Sequence, residues 1–109
     1  MERIQVSEED LQMQKYVIST KALFDALTDF NDEKDCVSLD CKGYIQKETD
    51  GNNEWYDLKT ETGTPCMDGE ICEVLEETSD YVVLQEETER IPFRLSRREF
   101  DIAATLCAA

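Results

Sequence analysis

The sequence predicts an α+β fold in which an N-terminal helix or helix pair precedes a five-stranded antiparallel meander and a short C-terminal helix. Three patterns lead to this prediction. Apolar residues recur at helical spacing in the first third of the chain, they alternate with polar residues in the middle, and a capping signal follows near the end. The 109 residues suffice for a single domain, and its parts are a helical segment 1–35, a sheet 36–95 and a helix 96–109.

The N-terminal segment begins with Ser7-Glu8-Glu9-Asp10, in which a serine N-cap precedes acidic residues that favour the positive end of a helix. A stripe of residues three or four positions apart follows, and it consists of Met13, Val17, Thr20, Phe24, Leu27 and Phe30. Because Ser19-Thr20 can interrupt a helix, one long helix over 8–31 and two shorter helices both remain open. A polar run over 31–35 ends this segment.

The first two strands are predicted to form a hairpin. Val37, Leu39 and Cys41 alternate with polar residues, which indicates a half-exposed strand that continues to about Ile45. A second strand follows over 54–62. The turn-rich segment between these strands predicts a hairpin with a long tip.

Three more strands complete the predicted meander, and the last four strands together are compatible with a small SH3-like curl. Glycine and proline at 63–65 and glycine at 69 indicate the turn after the hairpin. The remaining strands are predicted around residues 71–76, 81–85 and 91–95. Pro92 places the last strand at a sheet edge, because proline has no N–H to donate to a central ladder.

The C-terminal helix has the clearest local signal in the chain. Ser96 and Glu99 have the spacing of a capping box, in which the serine is the N-cap and the glutamate stands at the third helical position. Phe100, Ala103 and Ala104 then provide one apolar face. These residues predict a short helix that packs against the sheet.

The charge composition narrows the possible classes of function more than any sequence motif does. The chain has 26 acidic against 11 basic residues, a formal net charge of −15, and no histidine. Residues 1–89 hold 24 acids and 7 bases, whereas residues 90–109 hold 2 acids and 4 arginines. Because histidine is the commonest general base and metal ligand, we expect no catalytic residue, no metal and no cofactor. The net field would repel phosphate, so direct binding of nucleic acid is not expected.

The cysteines and the apolar pattern predict the compartment. The odd number of cysteines, at C-x4-C and C-x5-C spacings, fits neither a disulfide framework nor a zinc site. We expect several of them to be small core residues, whereas Cys66 beside Pro65 is the candidate for an exposed reactive thiol. No apolar run is long enough to cross a membrane and no secretory signal is apparent, so the predicted location is the cytoplasm of a host cell, with no membrane contact.

The acidic residues suggest that the protein mimics nucleic acid. Duplex DNA carries one charge per about 1.7 Å, so 15 charges correspond to about 26 Å of duplex, and a domain of about 100 residues has a radius of gyration near 13 Å. Mimicry requires that the carboxylates share one face. The expected partner is a basic protein surface, such as that of a nuclease, and the protein itself is expected to be a monomer or a homodimer. The candidate partner-binding residues are Glu70, Glu73, Glu76, Glu77, Glu86, Glu87, Asp57 and Trp55.

Two further groups of residues are candidates for contacts. Because Trp55 and Tyr56 are adjacent in a predicted strand, one of them should face the core and the other should be an exposed interface anchor. The C-terminal part contains a basic patch. Its arginines either pair with neighbouring acids or bind an acidic or phosphate-bearing partner, and these residues are Arg90, Arg94, Arg97 and Arg98.

About half of the chain resembles a family of small proteins. The resemblance is carried by Tyr56-Asp57-Leu58, Gly63-Thr64-Pro65-Cys66, the segment 69–78, Tyr81-Val82-Val83-Leu84 and the segment 92–100. These residues resemble small acidic accessory proteins of phages and conjugative elements of Gram-positive bacteria. The resemblance implies a context in which inhibitors of restriction and CRISPR systems occur. The expected function is therefore a non-enzymatic anti-defence inhibitor that mimics nucleic acid, and the alternative is a structural or regulatory adaptor of a mobile element.

Overall fold

The computed structural model describes residues 14–28 and 35–107, which form two helices and nine strands. In chain order these are β1 (Lys15–Ile18), α1 (Thr20–Leu27), β2 (Cys36–Ser38), β3 (Tyr44–Asp50), β4 (Asn53–Thr60), β5 (Gly63–Met67), β6 (Glu70–Glu77), β7 (Tyr81–Glu86), β8 (Phe93–Ser96), α2 (Arg97–Ala103) and β9 (Ala104–Leu106). In the described part of the chain, no helix is long and apolar enough to cross a membrane.

The strands form two antiparallel sheets, which confirms the α+β class but replaces the single five-stranded meander. One sheet has the order β2-β3-β4-β5 and the other the order β8-β7-β6-β1-β9. The chain changes sheets at Gly69, whose φ of +82° is accessible to glycine. The N–H of Gly69 donates to the carbonyl of Ile18, so β6 continues beside β1 and not beside β5. The SH3-like curl is therefore replaced by two separate ladders.

The predicted N-terminal helix is wrong for residues 15–18, which form strand β1. This strand pairs with β6 on one side and with β9 on the other, and these ladders outweigh the helical spacing of Val17. Helix α1 begins only at Thr20, where the hydroxyl of Ser19 accepts a hydrogen bond from the N–H of Ala22. The rest of the predicted helix, over 8–13 and 29–31, lies outside the described residues, as do Met13 and Phe30.

The first predicted strand is interrupted, and the hairpin tip is shorter than expected. Lys42 and Gly43 both have positive φ, so the chain reverses after β2 instead of continuing to Ile45 as one strand. Strands β3 and β4 stay paired up to Asp50 and Asn53, which leaves only Gly51-Asn52 in the turn. Gly51 has a φ of +63°, as two-residue hairpin turns require.

Pro65 lies in strand β5, although its neighbourhood predicted a turn. Strand β5 is at the edge of its sheet, where a residue without an N–H is tolerated. The β4–β5 register shifts between Leu58 and Thr60, so that Thr64 and Pro65 together oppose Lys59. The other predicted edge strand is confirmed, because β8 lies at the end of the five-stranded sheet directly after Pro92.

The inner faces of both sheets and both helices share one core. Its fully buried apolar side chains include Ile18 of β1, Leu23 of α1, Ile45 and Leu58 of the four-stranded sheet, and Leu84 and Leu95 of the five-stranded sheet. Helix α2 has the predicted capping box, with Ser96 and Glu99 as reciprocal partners. The helix ends at Ala103, however, and the predicted helical residues 104–106 form strand β9 because they pair with β1.

Candidate binding surface

The eight residues predicted to bind a partner do not share one face. Six of them are on β6, on β7 or directly after β7, and these are Glu70, Glu73, Glu76, Glu77, Glu86 and Glu87. Trp55 and Asp57 are on β4, in the other sheet. Because the inner faces of both sheets contribute to one core, their outer faces point in different directions.

On the outer face of the five-stranded sheet, a lysine partly neutralises the acids. Glu73 lies directly across from Lys15 of β1. The ammonium group of Lys15 forms an ion pair with Glu87 at 2.5 Å. This pair, and to a smaller degree Glu73, raises the pKa of Lys15, so the lysine remains charged at neutral pH.

The next acids along β6 also have internal partners. A register shift between Val74 and Glu76 gives β6 one extra residue, so Glu76 and Glu77 exchange the faces that strict alternation would give them. Glu76 accepts a hydrogen bond of 3.0 Å from the hydroxyl of Tyr81. Glu77 turns toward helix α2 and forms an ion pair with Arg97. Both carboxylates remain exposed, so these contacts hold them in place and leave other acceptor sites open to a partner.

Glu86 and Glu70 have structural roles in turns. Glu86 is 7% exposed, and its carboxylate accepts hydrogen bonds from the N–H groups of Thr88 (2.9 Å) and Glu89 (2.7 Å). The prediction that Glu86 faces a partner is therefore wrong: it shares the inward register of the core residues of β7. Glu70 is half-buried and accepts a hydrogen bond from the N–H of Met67 across the β5–β6 turn.

The outer face of the β3–β4 hairpin combines acidic residues with the exposed tryptophan. Tyr56 is 6% exposed and Trp55 is 45% exposed, which confirms that the two face opposite sides. Glu48 lies directly across from Trp55, and Asp50 is opposite Asn53 at the tip. We call Glu48, Asp50, Trp55 and Asp57 the hairpin face.

A groove follows the free edge of β4. Strand β5 reaches only as far as Met67, which lies opposite Asp57, so residues 53–56 of β4 have no strand on that side. The space beyond Met67 is a groove of about 460 Å³, which we call the β4 groove. It is lined by Lys21, Asn52, Glu54, Trp55, Tyr56, Asp57, Met67 and Asp68.

Two of the three carboxylates in the β4 groove have partners. Glu54 forms an ion pair with Lys47 at 3.3 Å. Asp68 accepts hydrogen bonds from the hydroxyl of Ser19 (3.2 Å) and the N–H of Lys21 (3.0 Å), so it fixes the start of helix α1. These contacts hold both groups in place at the rim of the groove.

The third carboxylate, Asp57, has an unsatisfied oxygen. Among the described residues, its buried Oδ1 is the one buried side-chain oxygen or nitrogen without a hydrogen-bond partner. Burial raises the pKa of Asp57, Lys59 opposes this effect, and Glu48 adds to it. Lys59 nevertheless donates its hydrogen bond to the hydroxyl of Thr64 at 3.3 Å. A buried acceptor without a donor is costly unless a ligand supplies one.

The basic patch is held mainly by internal contacts. Arg98 donates two hydrogen bonds to Asp40, at 2.8 and 2.9 Å, and Arg97 pairs with acids on β6 and α2. The guanidinium of Arg94 stacks on the ring of Tyr81, 3.9 Å from its centroid. These contacts favour the first interpretation of the arginines, that they pair with their neighbours. Arg90 lies exposed after β7, with a φ of +57°.

Two free cysteines, one from each sheet, are in contact in the core. Cys66 of β5 and Cys72 of β6 are both fully buried, and their sulfur atoms are 3.8 Å apart. This confirms the prediction of core cysteines, and Cys66 is not the exposed thiol that its neighbour Pro65 suggested. Their hydrogen bond and their burial raise the pKa of Cys66. Of the five free cysteines, Cys36 is exposed.

The acids and the methionine of these two surfaces that sequence reasoning missed are Glu48, Asp50, Glu54, Met67 and Asp68. A search of protein-family models, curated proteins and solved structures found no match to this chain. Within residues 14–28 and 35–107, no three metal-ligating side chains are close enough together to hold an ion. The hairpin face and the β4 groove are therefore the candidate functional surface on geometry and charge alone.

Proposed function

We propose that this protein binds a basic protein surface and occupies a site that otherwise binds nucleic acid. The observation that carries the proposal is the acidic excess of residues 14–28 and 35–107, which hold 19 acidic against 9 basic residues, a net charge of −10, on a fold made mostly of strands. Strands hold carboxylates at regular spacing, as a duplex holds phosphates. A surface that is already ordered also loses less conformational entropy on binding than a disordered acidic segment would.

The hairpin face is the part of this surface that suits the role best. On the five-stranded sheet, Lys15 and Arg94 lie among the acids and reduce the local field. On the hairpin face, three carboxylates surround an exposed tryptophan, and Lys59 is the cation on the same side of β4. Tryptophan supplies binding energy at interface centres, whereas the carboxylates supply steering and register.

In its most specific form, the protein inhibits a nuclease complex that defends a cell against phages or mobile elements. The resemblance to accessory proteins of such elements supports this context, and the charge supports the mode of inhibition. The inhibitor acts by occupancy and has no chemical step. Its partner is a basic groove that accepts phosphates in the absence of the inhibitor.

Affinity capture tests this proposal. The chain is immobilised and exposed to a lysate of a Gram-positive bacterium that has been treated with a nuclease to remove bridging nucleic acid. We expect the retained proteins to bind nucleic acid and to be released by salt or by added duplex DNA or RNA. Retained proteins that do not bind nucleic acid, or that added duplex does not release, would contradict the proposal.

Matched charge variants locate the surface. The triple variant Glu48→Gln, Asp50→Asn, Asp57→Asn removes three charges from the hairpin face. The control triple variant Glu61→Gln, Asp80→Asn, Asp101→Asn removes three exposed charges elsewhere. We expect the first variant to lose capture and the second to keep it, because the net charge is the same and only the position differs. Equal behaviour of the two variants would show that the hairpin face is not the contact.

The exposed tryptophan also favours the second candidate, a protein-binding adaptor. Trp55 is 45% exposed in the middle of a strand face, where an aromatic residue can anchor an apolar contact. An adaptor of this type predicts binding that survives high salt and fails in Trp55→Ala. Salt-sensitive binding that depends on the carboxylates separates the inhibitor from the adaptor.

A further inference from the structure

We propose that the β4 groove is the docking site for an arginine side chain of the basic partner. In this arrangement, the guanidinium stacks on the indole of Trp55 and donates hydrogen bonds to the carboxylate of Asp57. The inference rests on the proposed function and specifies which chemical group of the partner binds in the groove.

The register of β4 brings the two contact residues together. Trp55 and Asp57 are two positions apart in one strand, so their side chains lie on the same face about 7 Å apart. Met67, which is 46% exposed, lies directly across from Asp57 and forms the opposite wall. A planar cation between these walls contacts an indole face and a polarizable thioether.

The unsatisfied oxygen of Asp57 identifies the acceptor. Its Oδ1 is buried and has no donor among the described residues, whereas the other two carboxylates of the groove are already held. The terminal torsion of an aspartate is broad and two-fold, so a small rotation exchanges its two oxygens. A docked guanidinium therefore binds the oxygen that faces the groove, and the carboxylate can rotate to present either oxygen to it.

Charge complementarity selects a cation for this groove. Three acids line it, namely Glu54, Asp57 and Asp68, against the single base Lys21. The ammonium group of Lys21 is paired with Asp25 at 2.8 Å and lies 5.6 Å from the ring centroid of Tyr56, so it offsets only part of this negative charge. An anionic or lipid-like occupant would meet this negative field, whereas a basic side chain is attracted by it.

Arginine suits the groove better than lysine does. A guanidinium is planar, stacks on an aromatic face and presents five donors, whereas an ammonium is compact and strongly hydrated. The groove offers one indole face and several carboxylate oxygens around its rim. Its volume of about 460 Å³ is ample for one such side chain.

The fluorescence and the indole N–H resonance of Trp55 test the proposal directly, because Trp55 is the only tryptophan of the chain. The probe is Nα-acetyl-arginine methylamide, titrated into the full-length chain. Nα-acetyl-citrulline methylamide, which has the same shape without the charge, is the ligand control. We expect a saturable change with the arginine probe, on the order of millimolar in dissociation constant, and binding at least about tenfold weaker for citrulline.

Two variants of the chain make the test decisive. Asp57→Asn should weaken binding of the arginine probe by about tenfold, whereas Asp80→Asn, which removes an exposed charge outside the groove, should leave it within about twofold. A response that does not saturate, that is equal for citrulline, or that persists in Asp57→Asn overturns the proposal. If the groove binds the arginine probe selectively but no nucleic-acid-binding protein is captured, the proposed function is wrong. If such proteins are captured but the groove does not bind the arginine probe, only the proposal for the groove is wrong.

Discussion

The buried carboxylate of Glu99 accepts a hydrogen bond of 2.7 Å from the backbone N–H of Asp40, 59 residues earlier in the chain. The other oxygen of Glu99 accepts from the N–H of Ser96 at 3.0 Å and completes the capping box of α2. One side chain thus caps a helix and fixes the loop between β2 and β3. Glu99 is fully buried, so water cannot replace either donor.

Replacing Glu99 by glutamine should destabilise the fold. The amide oxygen of glutamine can accept a hydrogen bond from one of the two backbone N–H groups. Its NH₂ group then faces the other N–H, which loses its acceptor. We expect the free energy of unfolding in urea to fall by about 2–3 kcal/mol. Glu61→Gln, at an exposed turn, is the control and should change it by less than about 0.5 kcal/mol. Equal stability of the two variants would contradict the role of Glu99.

The pair of Asp40 and Arg98 predicts a pH dependence of stability. The hydrogen bonds from Arg98, and then the one from Ser96, lower the pKa of Asp40 from 3.8 to about 2. Because the folded state binds the proton less tightly than the unfolded state, this contribution is complete above pH 3.8. It is lost as the pH falls from there to about 2.

Comparison with Arg98→Gln isolates this contribution. The stability difference between wild type and variant should be constant above about pH 4 and should shrink toward pH 2. The carboxyl resonance of Asp40 should titrate near 2 in the wild type and closer to 3.8 in the variant. A wild-type titration midpoint near 3.8 would show that the pair does not persist in solution.

The five cysteines predict three classes of thiol, because one is exposed, two are half-buried and two are buried. Cys66 and Cys72 are fully buried, so an external reagent reaches neither sulfur, and the pKa of Cys66 is raised as well. With an aromatic disulfide reagent, we expect Cys36 to react at once, the half-buried Cys41 and Cys107 to react more slowly, and the buried pair to react only as fast as the chain unfolds. Cys36→Ser should lose the fast phase alone. Simultaneous reaction of all five thiols would contradict the buried pair.

Glu86 should matter for stability and not for binding. Glu86→Ala removes the acceptor for two backbone N–H groups, so we expect the free energy of unfolding to fall by about 1–2 kcal/mol. The matched control is Glu87→Ala in its exposed neighbour, which should leave the free energy of unfolding nearly unchanged because the ion pair of Glu87 with Lys15 is on the surface. Loss of partner binding in a folded Glu86→Ala variant would restore the original prediction for this residue.

Local signals in the sequence predicted the features that depend on near neighbours. The capping box needs only Ser96 and Glu99, and the opposite facing of Trp55 and Tyr56 follows from the two-residue period of a strand. The same period could have placed Glu86 correctly, because it is two positions beyond Leu84 and shares its inward register. Glu86 was instead grouped with the neighbouring acids Glu87 and Glu89, which are exposed.

Features that depend on distant partners were not predictable. Strands β1 and β9 are short, and they exist because each pairs with a strand far away in the sequence. The extra residue near Leu75 moves Glu76 and Glu77 to unexpected faces. The β4 groove likewise depends on where β5 stops and on how Asp68 holds α1, and no local pattern contains that information.

The dissociation constant for a captured partner, measured between about 0.05 M and about 0.5 M salt, tests most directly whether the acidic surface does the binding. We expect the dissociation constant of the wild-type protein to rise at least about tenfold between these two salt concentrations. The Glu48→Gln, Asp50→Asn, Asp57→Asn variant should bind weakly throughout and show a much smaller salt dependence. An affinity that is the same at both ends of the salt range, and unchanged in this variant, would contradict binding through the hairpin face.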